Sequence, residues 1–200
     1  IPQQDCQYYR ASGYSCRDKY ADYLCLRCDL ALLRGNKFKS QRASYNYFVK
    51  HHDFALERLE AKHAPACQSL FNSWAEARKM QASDDIYCGM LEDNRKVIKV
   101  ALANYRQLGF EGVVIKVNKQ IKGFTFGYRL SNDIFCILYE ITDLSVKGLA
   151  QFIFRKFSEE LKSYKYINIM DDSGLENLRK VKLSYKPARL IPAYIVTRNA

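Results

Sequence analysis

Three apolar runs in direct succession, 112–117, 121–130 and 133–141, constrain most strongly what this chain can fold into. An Asn118-Lys119 turn separates the first two, and both connections have hairpin length, so the runs predict a three-stranded meander. Immediately downstream, Leu149, Ala150, Ile153, Phe154, Phe157 and Leu161 recur at helical spacing and predict a helix over 147–162. Upstream, Pro65 suits a first helical turn, and Cys67, Leu70, Phe71, Trp74 and Arg78 trace one helical face. A second helix carries Val97, Ile98, Ala101, Leu102, Tyr105 and Leu108, with Gly109 as its stop. A short strand at 166–169, a basic helix and a final strand at 193–196 complete the order helix–helix–β–β–β–helix–β–helix–β. That order predicts a mixed α/β sheet domain. The first sixty residues read as a strand at 20–26, a helical turn at 29–34, a break at Gly35, a basic amphipathic helix at 38–49 and a strand at 54–59.

Two hundred residues with 48% hydrophobic and 14% aromatic content are ample for a real core. The longest apolar runs are short, so no segment is expected to span a bilayer. No secretory leader pattern stands at the N-terminus, and seven scattered cysteines read as reduced thiols, so a cytoplasmic location is expected. Cys25 and Cys28 have knuckle spacing, but no second ligand pair follows, and no metal is expected. A net charge of +11 favours polyanionic partners: tRNA, an anionic lipid surface or a phosphorylated acyl carrier. The cations cluster: Arg34, Lys37, Lys39, Arg42 and Lys50 form one group, and Arg179, Lys180, Lys182, Lys186 and Arg189 another. No Walker loop, dinucleotide-binding glycine pattern, Gly-x-Ser-x-Gly elbow or His-Glu-x-x-His occurs, which argues against those enzyme classes.

From Tyr166 the chain runs through an apolar strand into Asp171-Asp172-Ser173-Gly174, and then into the basic helix ending at Ser184-Tyr185-Lys186-Pro187. Ser173 and Glu176 have capping-box spacing. This block resembles the end of the phosphatidylglycerol lysyltransferase C-terminal domain family, a branch of the GNAT-like acyltransferases. The family pattern Asn-Arg-Glu-x-Asp-x-Gly, then Leu-Arg-Lys-x-Lys-x-Ser-Tyr-x-Pro, is matched by Asn168, Asp172, Gly174, Leu178, Arg179, Lys180, Lys182, Ser184, Tyr185 and Pro187. Ile169 and Met170 replace its Arg-Glu. An upstream segment is similar to the family's bridge at Leu33, Gly35, Lys37, Phe38, Arg42, Asn46 and Phe48, whereas Lys39, Ala43 and Ser44 stand at its His, Asn and His positions.

The resemblance implies a GNAT-like fold, with residues 1–60 as the tail of a first module plus a bridging helix and 61–200 as a complete second module. It implies aminoacyl transfer from a charged tRNA to a polar acceptor such as a lipid headgroup. An acyl-CoA-dependent N-acyltransferase is the alternative, and a non-catalytic polyanion-binding module a further one. No tightly bound cofactor is expected. In such folds the donor's phosphates meet the helix that follows the central strand, here Lys147, Gly148, Leu149 and Ala150. Gly148 and Ala150 fit the pattern of CoA-using relatives and Ser145 does not. Gly148 reads equally well as a close-packing residue. Among groups for acid–base work, Glu140 ends an apolar strand, Asp172 suits substrate positioning and Tyr185 suits proton donation or phosphate orientation. Each has a plain reading beside it: a surface carboxylate, a helix-start charge and a packed ring. Lys37, Arg42, Arg179 and Lys182 are the expected phosphate contacts, with Arg179 and Lys182 sharing a helix face; a solvated basic face is their alternative.

Overall fold

A computed structural model describes residues 1–81 and 85–198; the side chains of residues 81, 85 and 86 fall outside the description, as do residues 82–84 and 199–200 of the expected second module. In chain order, the helices are α1 (Cys6–Ala11), α2 (Arg27–Leu32), α3 (Lys39–His51), α4 (Ala64–Gln81), α5 (Asp85–Ala103), α6 (Leu149–Glu160) and α7 (Glu176–Ser184). The strands are β1 (Tyr14–Leu26), β2 (Phe54–Arg58), β3 (Glu111–Val117), β4 (Gln120–Arg129), β5 (Ile134–Thr142), β6 (Tyr166–Asn168) and β7 (Arg189–Arg198). The seven strands form one sheet in the order β2-β3-β4-β5-β6-β1-β7.

The meander forms as the sequence predicts. Asn118 and Lys119 both take positive φ, 50° and 65°, as a tight two-residue hairpin requires, and β3, β4 and β5 pair antiparallel in succession. Alternation along the strands then sorts side chains to two faces. Val113, Ile115, Val117, Phe135 and Ile137 pack against α6 through Phe152, Ile153 and Phe157. On the opposite face Val114, Phe124, Phe126 and Ile141 meet Phe71, Ile98, Ala101 and Leu102 of α4 and α5. The result is helices on both sides of a mixed sheet, a GNAT-like α/β fold. The first sixty residues share this sheet. β2 extends the meander at one edge, and β1 lies between β6 and β7.

One pairing shapes everything that follows. β5 and β6 are the parallel neighbours of the sheet, and they pair only from Ile134↔Tyr166 to Cys136↔Asn168. β5 then runs on to Thr142, while the chain leaves β6 after Asn168, so the two strands part and open a gap in the sheet. The loop from Ile169 to Gly174 forms its far wall. Met170, Ser173 and Gly174 all adopt left-handed backbone, at φ 60°, 51° and 73°. A side chain at Gly174 would meet the Tyr20 hydroxyl at 2.5 Å, so both its φ and its surroundings call for glycine. The capping box expected at Ser173 does not form. Leu175 is the N-cap of α7 without a side-chain bond, and the left-handed Ser173 instead donates its N–H to Asp171 Oδ1 at 2.7 Å.

Candidate active site at the gap in the sheet

A cleft of about 550 Å³ occupies the gap between β5 and the 169–174 loop. Glu140 forms its floor from β5; Gln151 and Phe154 of α6 flank it, and Lys182 and Tyr185 face it from the α7 end. Because Tyr139 and Ile141 pack on the α4/α5 face, alternation turns Glu140 to the α6 face. A second, more apolar pocket of about 340 Å³ lies on the α4/α5 face, lined by Phe71, Leu91, Tyr139 and Ile141. Trp74, Arg78, Asn94 and Leu178 line both pockets, so the space passes through the gap from one face of the sheet to the other.

Glu140 has the most perturbed carboxyl in this site. Its side chain keeps slight contact with the cleft yet is enclosed by protein, and burial pushes its pKa up to about 8. No hydrogen bond or ion pair reaches the carboxyl among the described residues. Tyr185 is buried at 7% exposure, and its phenol is raised far above the usual value, by burial first and by the neighbouring Glu140 second. It therefore stays protonated and able to donate. Lys182 is lowered to about 8 by burial, against the pull of Asp171, Asp22 and Asp172. Its ammonium donates to the carbonyls of Ile169 (2.5 Å) and Asp171, satisfying oxygens that the left-handed loop leaves unpaired.

The two aspartates of the loop serve its architecture. Asp171 pairs with Lys19; burial opposes its ionisation, but the bonds from Lys19 and the Ser173 N–H outweigh it and hold its pKa down. Asp172, expected to position substrate, does not line the cleft. Its Oδ2 accepts the Tyr23 hydroxyl at 2.5 Å and its Oδ1 accepts the Gly174 N–H at 3.0 Å. Asn168 donates to Asp22 at 2.9 Å and accepts the Met170 N–H at 2.7 Å, which ties the loop to β1.

The start of α6 departs from the expected open anion pocket. Gly148, at φ 83°, packs so tightly on α3 that a side chain there would collide with the Ser44 carbonyl. Leu149 is fully buried in the core, and Lys147 lies over the Tyr47 ring at 4.5 Å; of the four residues expected there, Ala150 is the one that lines the cleft. In the preceding loop, Asp143 accepts the Ser145 N–H at 2.9 Å and pairs with Lys122 at 2.9 Å. Burial works against its charge, yet these bonds keep it ionised.

The expected phosphate contacts do not converge either. Lys37 pairs with Asp29 at 2.7 Å, and Arg42 donates to the carbonyls of Leu33 and Gly35, closing the turn after α2. Arg179 is exposed beside Glu176, whereas Lys182 turns inward, so the two do not present one cationic face. Trp74, Arg78 and Asn94 are among the cleft residues to which sequence reasoning assigned no function. The signal for Trp74 was its being the one tryptophan of the chain. Among the described residues no cluster of His, Cys, Asp and Glu is arranged to hold a metal ion, and no helix is long and apolar enough to cross a membrane.

Comparison with known proteins agrees with this architecture. The family model for the C-terminal domain of phosphatidylglycerol lysyltransferase matches residues 1–197. A conserved protein of unknown function from Bacteroides thetaiotaomicron is 30% identical and superposes with a TM-score of 0.81, over 97% of this chain and 68% of its own. L-PGS from Bacillus licheniformis is 16% identical with a TM-score of 0.69, over 99% of this chain and 66% of its own. A functionally unknown conserved protein from Staphylococcus epidermidis is 13% identical with a TM-score of 0.57, over 100% and 69% respectively. The chain thus spans about two thirds of the length of these relatives. No sequence match is found among curated proteins. The match across nearly its whole length places the chain in the phosphatidylglycerol lysyltransferase C-terminal domain family.

Proposed function

We propose that this domain transfers an aminoacyl group from an aminoacyl-tRNA to a hydroxyl or amine of a polar acceptor, with a phospholipid headgroup as the acceptor that the family suggests. One observation carries the reading: Glu140 and Tyr185 face a single cleft, with no hydrogen-bond or ion-pair partner among the described residues, at a gap reachable from both faces of the sheet. Two bulky substrates that react with each other need two entrances to one point. The acceptor oxygen or nitrogen attacks the ester carbonyl while Glu140 takes its proton. The bond from that carbonyl carbon to the ribose oxygen then breaks, and the ribose oxygen leaves with the proton that Glu140 took from the acceptor, which returns Glu140 to its starting carboxylate. The Tyr185 hydroxyl donates to the developing oxyanion. A carboxyl with a pKa of about 8 is mostly protonated at neutral pH, so the base form and the rate both rise toward a plateau above about 8.

Two features weigh against the acyl-CoA alternative. An ionised Asp143 already holds the Ser145 N–H, where a pyrophosphate would need a donor, and α3 closes the start of α6 at Gly148. Glu140 weighs against a purely structural module, because a desolvated carboxyl without a partner among the described residues costs stability and is a mark of functional sites. The test is transfer of labelled amino acid from a panel of aminoacyl-tRNAs to phosphatidylglycerol vesicles and to soluble amines. Wild type should label one acceptor, and Glu140→Gln should slow transfer about 100-fold or more. Label that stays on every tRNA, with acetyl-CoA consumed instead, would overturn the proposal.

A further inference from the structure

A trench of about 720 Å³ leads away from the cleft between α4 and the β3–β4 hairpin. One wall is the small-residue face of α4, with Ser69 and Ser73; the other carries Lys116, Lys119 and Lys122. Trp74 stands at its inner end, and the same indole lines the trench, the Glu140 cleft and the apolar pocket. We propose that this trench seats the unpaired 3′ end of the tRNA donor, with a phosphate on Lys119 and a base stacked on Trp74. The inference rests on the aminoacyl-tRNA reading above and gives that donor a path.

The topology puts the trench at the right end of the molecule. β3 and β5 run in the same direction, so the 118–119 turn lies at the same end of the sheet as Glu140 and Thr142. Three lysines line the trench against one carboxylate, that of Asp143. Lys116 and Lys122 are oriented by Glu57 (2.7 Å) and Asp143 (2.9 Å), whereas Lys119 is exposed on the turn and makes no ion pair among the described residues. Phosphates draw on such cations without regard to sequence, and an aromatic face accepts any base. Of the cations expected to serve this role from sequence, Lys37 pairs with Asp29, as Lys116 and Lys122 pair with their carboxylates, and Arg42 is held by two carbonyls, so Lys119 is the trench cation without an ion pair among the described residues. Small side chains along α4 leave room for a bulky ribose-phosphate chain, and Trp74 stops it where the ester would reach Glu140.

The experiment is binding of an uncharged tRNA to the 200-residue chain across a salt series, with the intact tRNA and with one trimmed of its unpaired 3′ nucleotides. Lys119→Asn removes the charge and keeps a residue that tolerates left-handed backbone; it should lower the salt slope by about one phosphate contact. Trp74→Leu should weaken intact tRNA about tenfold. Trimming should cost wild type a similar factor and Trp74→Leu little more, since both remove one interaction. Lys162→Gln, beyond the opposite end of β6, should change nothing. Equal binding by wild type, Lys119→Asn and Trp74→Leu, with trimming felt by none, would overturn the trench and leave the transfer reading intact. No tRNA binding even at low salt, with coenzyme A bound instead, would overturn both.

Discussion

Replacing Glu140 by Gln keeps the shape of the side chain and removes its titration, so it isolates what burying that carboxyl costs. The pKa rises from 4.5 in the unfolded chain to about 8 in the fold, with burial as the cause. The native state therefore holds the proton more tightly, and between these two values the folded form carries a proton that the unfolded form has lost. Stability falls as pH rises through this window and levels off above about 8. At about 1.4 kcal/mol per unit, the full shift corresponds to roughly 5 kcal/mol. The carboxyl retains contact with cleft water, so about half of that, roughly 2 kcal/mol, is the better expectation. Urea unfolding of wild type and Glu140→Gln from pH 5 to pH 9 reads it directly. The two should match near pH 5, and the variant should lead by about 2 kcal/mol at pH 9, or about 4–8 °C in Tm for a chain of this size. Differencing the profiles cancels the other titrating groups, Lys182 among them. Parallel profiles would mean that Glu140 is solvated or paired in solution, and the argument for it as a perturbed base would fail with them.

Arg42→Ala should lower stability by roughly 1–3 kcal/mol through loss of its bonds to the Leu33 and Gly35 carbonyls, while the salt slope of tRNA binding stays unchanged; a lower slope in a fully stable variant would restore Arg42 as a phosphate contact. Gly148→Ala should lose roughly 2–4 kcal/mol in urea unfolding, because a side chain there meets the Ser44 carbonyl and φ is 83°; an unaffected midpoint would show that α3 yields. Lys182→Met should speed amide exchange across Ile169–Gly174, where two carbonyls lose their shared donor, and unchanged protection would leave the loop's stability to Lys19 and Tyr23.

The parts of this fold that were legible in sequence are those whose signal is local. The meander is three consecutive runs joined by tight turns, and α6 carries its apolar face at unbroken helical spacing. What decides the site is not local. The parting of β5 from β6 depends on a parallel pairing of three residues, and β1 enters the sheet from far upstream to stand beside β6. Glu140 was legible as the polar residue ending an apolar strand, but nothing in the sequence says that β5 outruns its neighbour there. Asp171 and Asp172 are adjacent and alike in type, and the family pattern singled out Asp172. Only the fold turns one to Lys19 and the other to Tyr23, leaving neither oxygen pair for a ligand.

Lys182 makes the same point from the side of charge. Read along α7 it is one cation of a basic helix, facing an anion outside. In the structure a loop with left-handed residues at 170, 173 and 174 presents two carbonyls, and the lysine nearest them turns in to meet them. The inward turn follows from the cost of leaving buried carbonyl oxygens bare, which exceeds the gain from one more solvated charge on an exposed face. The basic helix thereby gives its central cation to the wall of the cleft. On the β3–β4 hairpin, Glu57 and Asp143 take Lys116 and Lys122, and Lys119 is left without an ion pair among the described residues, lining the trench that meets the Glu140 cleft at Trp74. A positive net charge is thus a poor guide to where an anion binds; the informative cations are those left unsatisfied after the backbone and the carboxylates have taken their share.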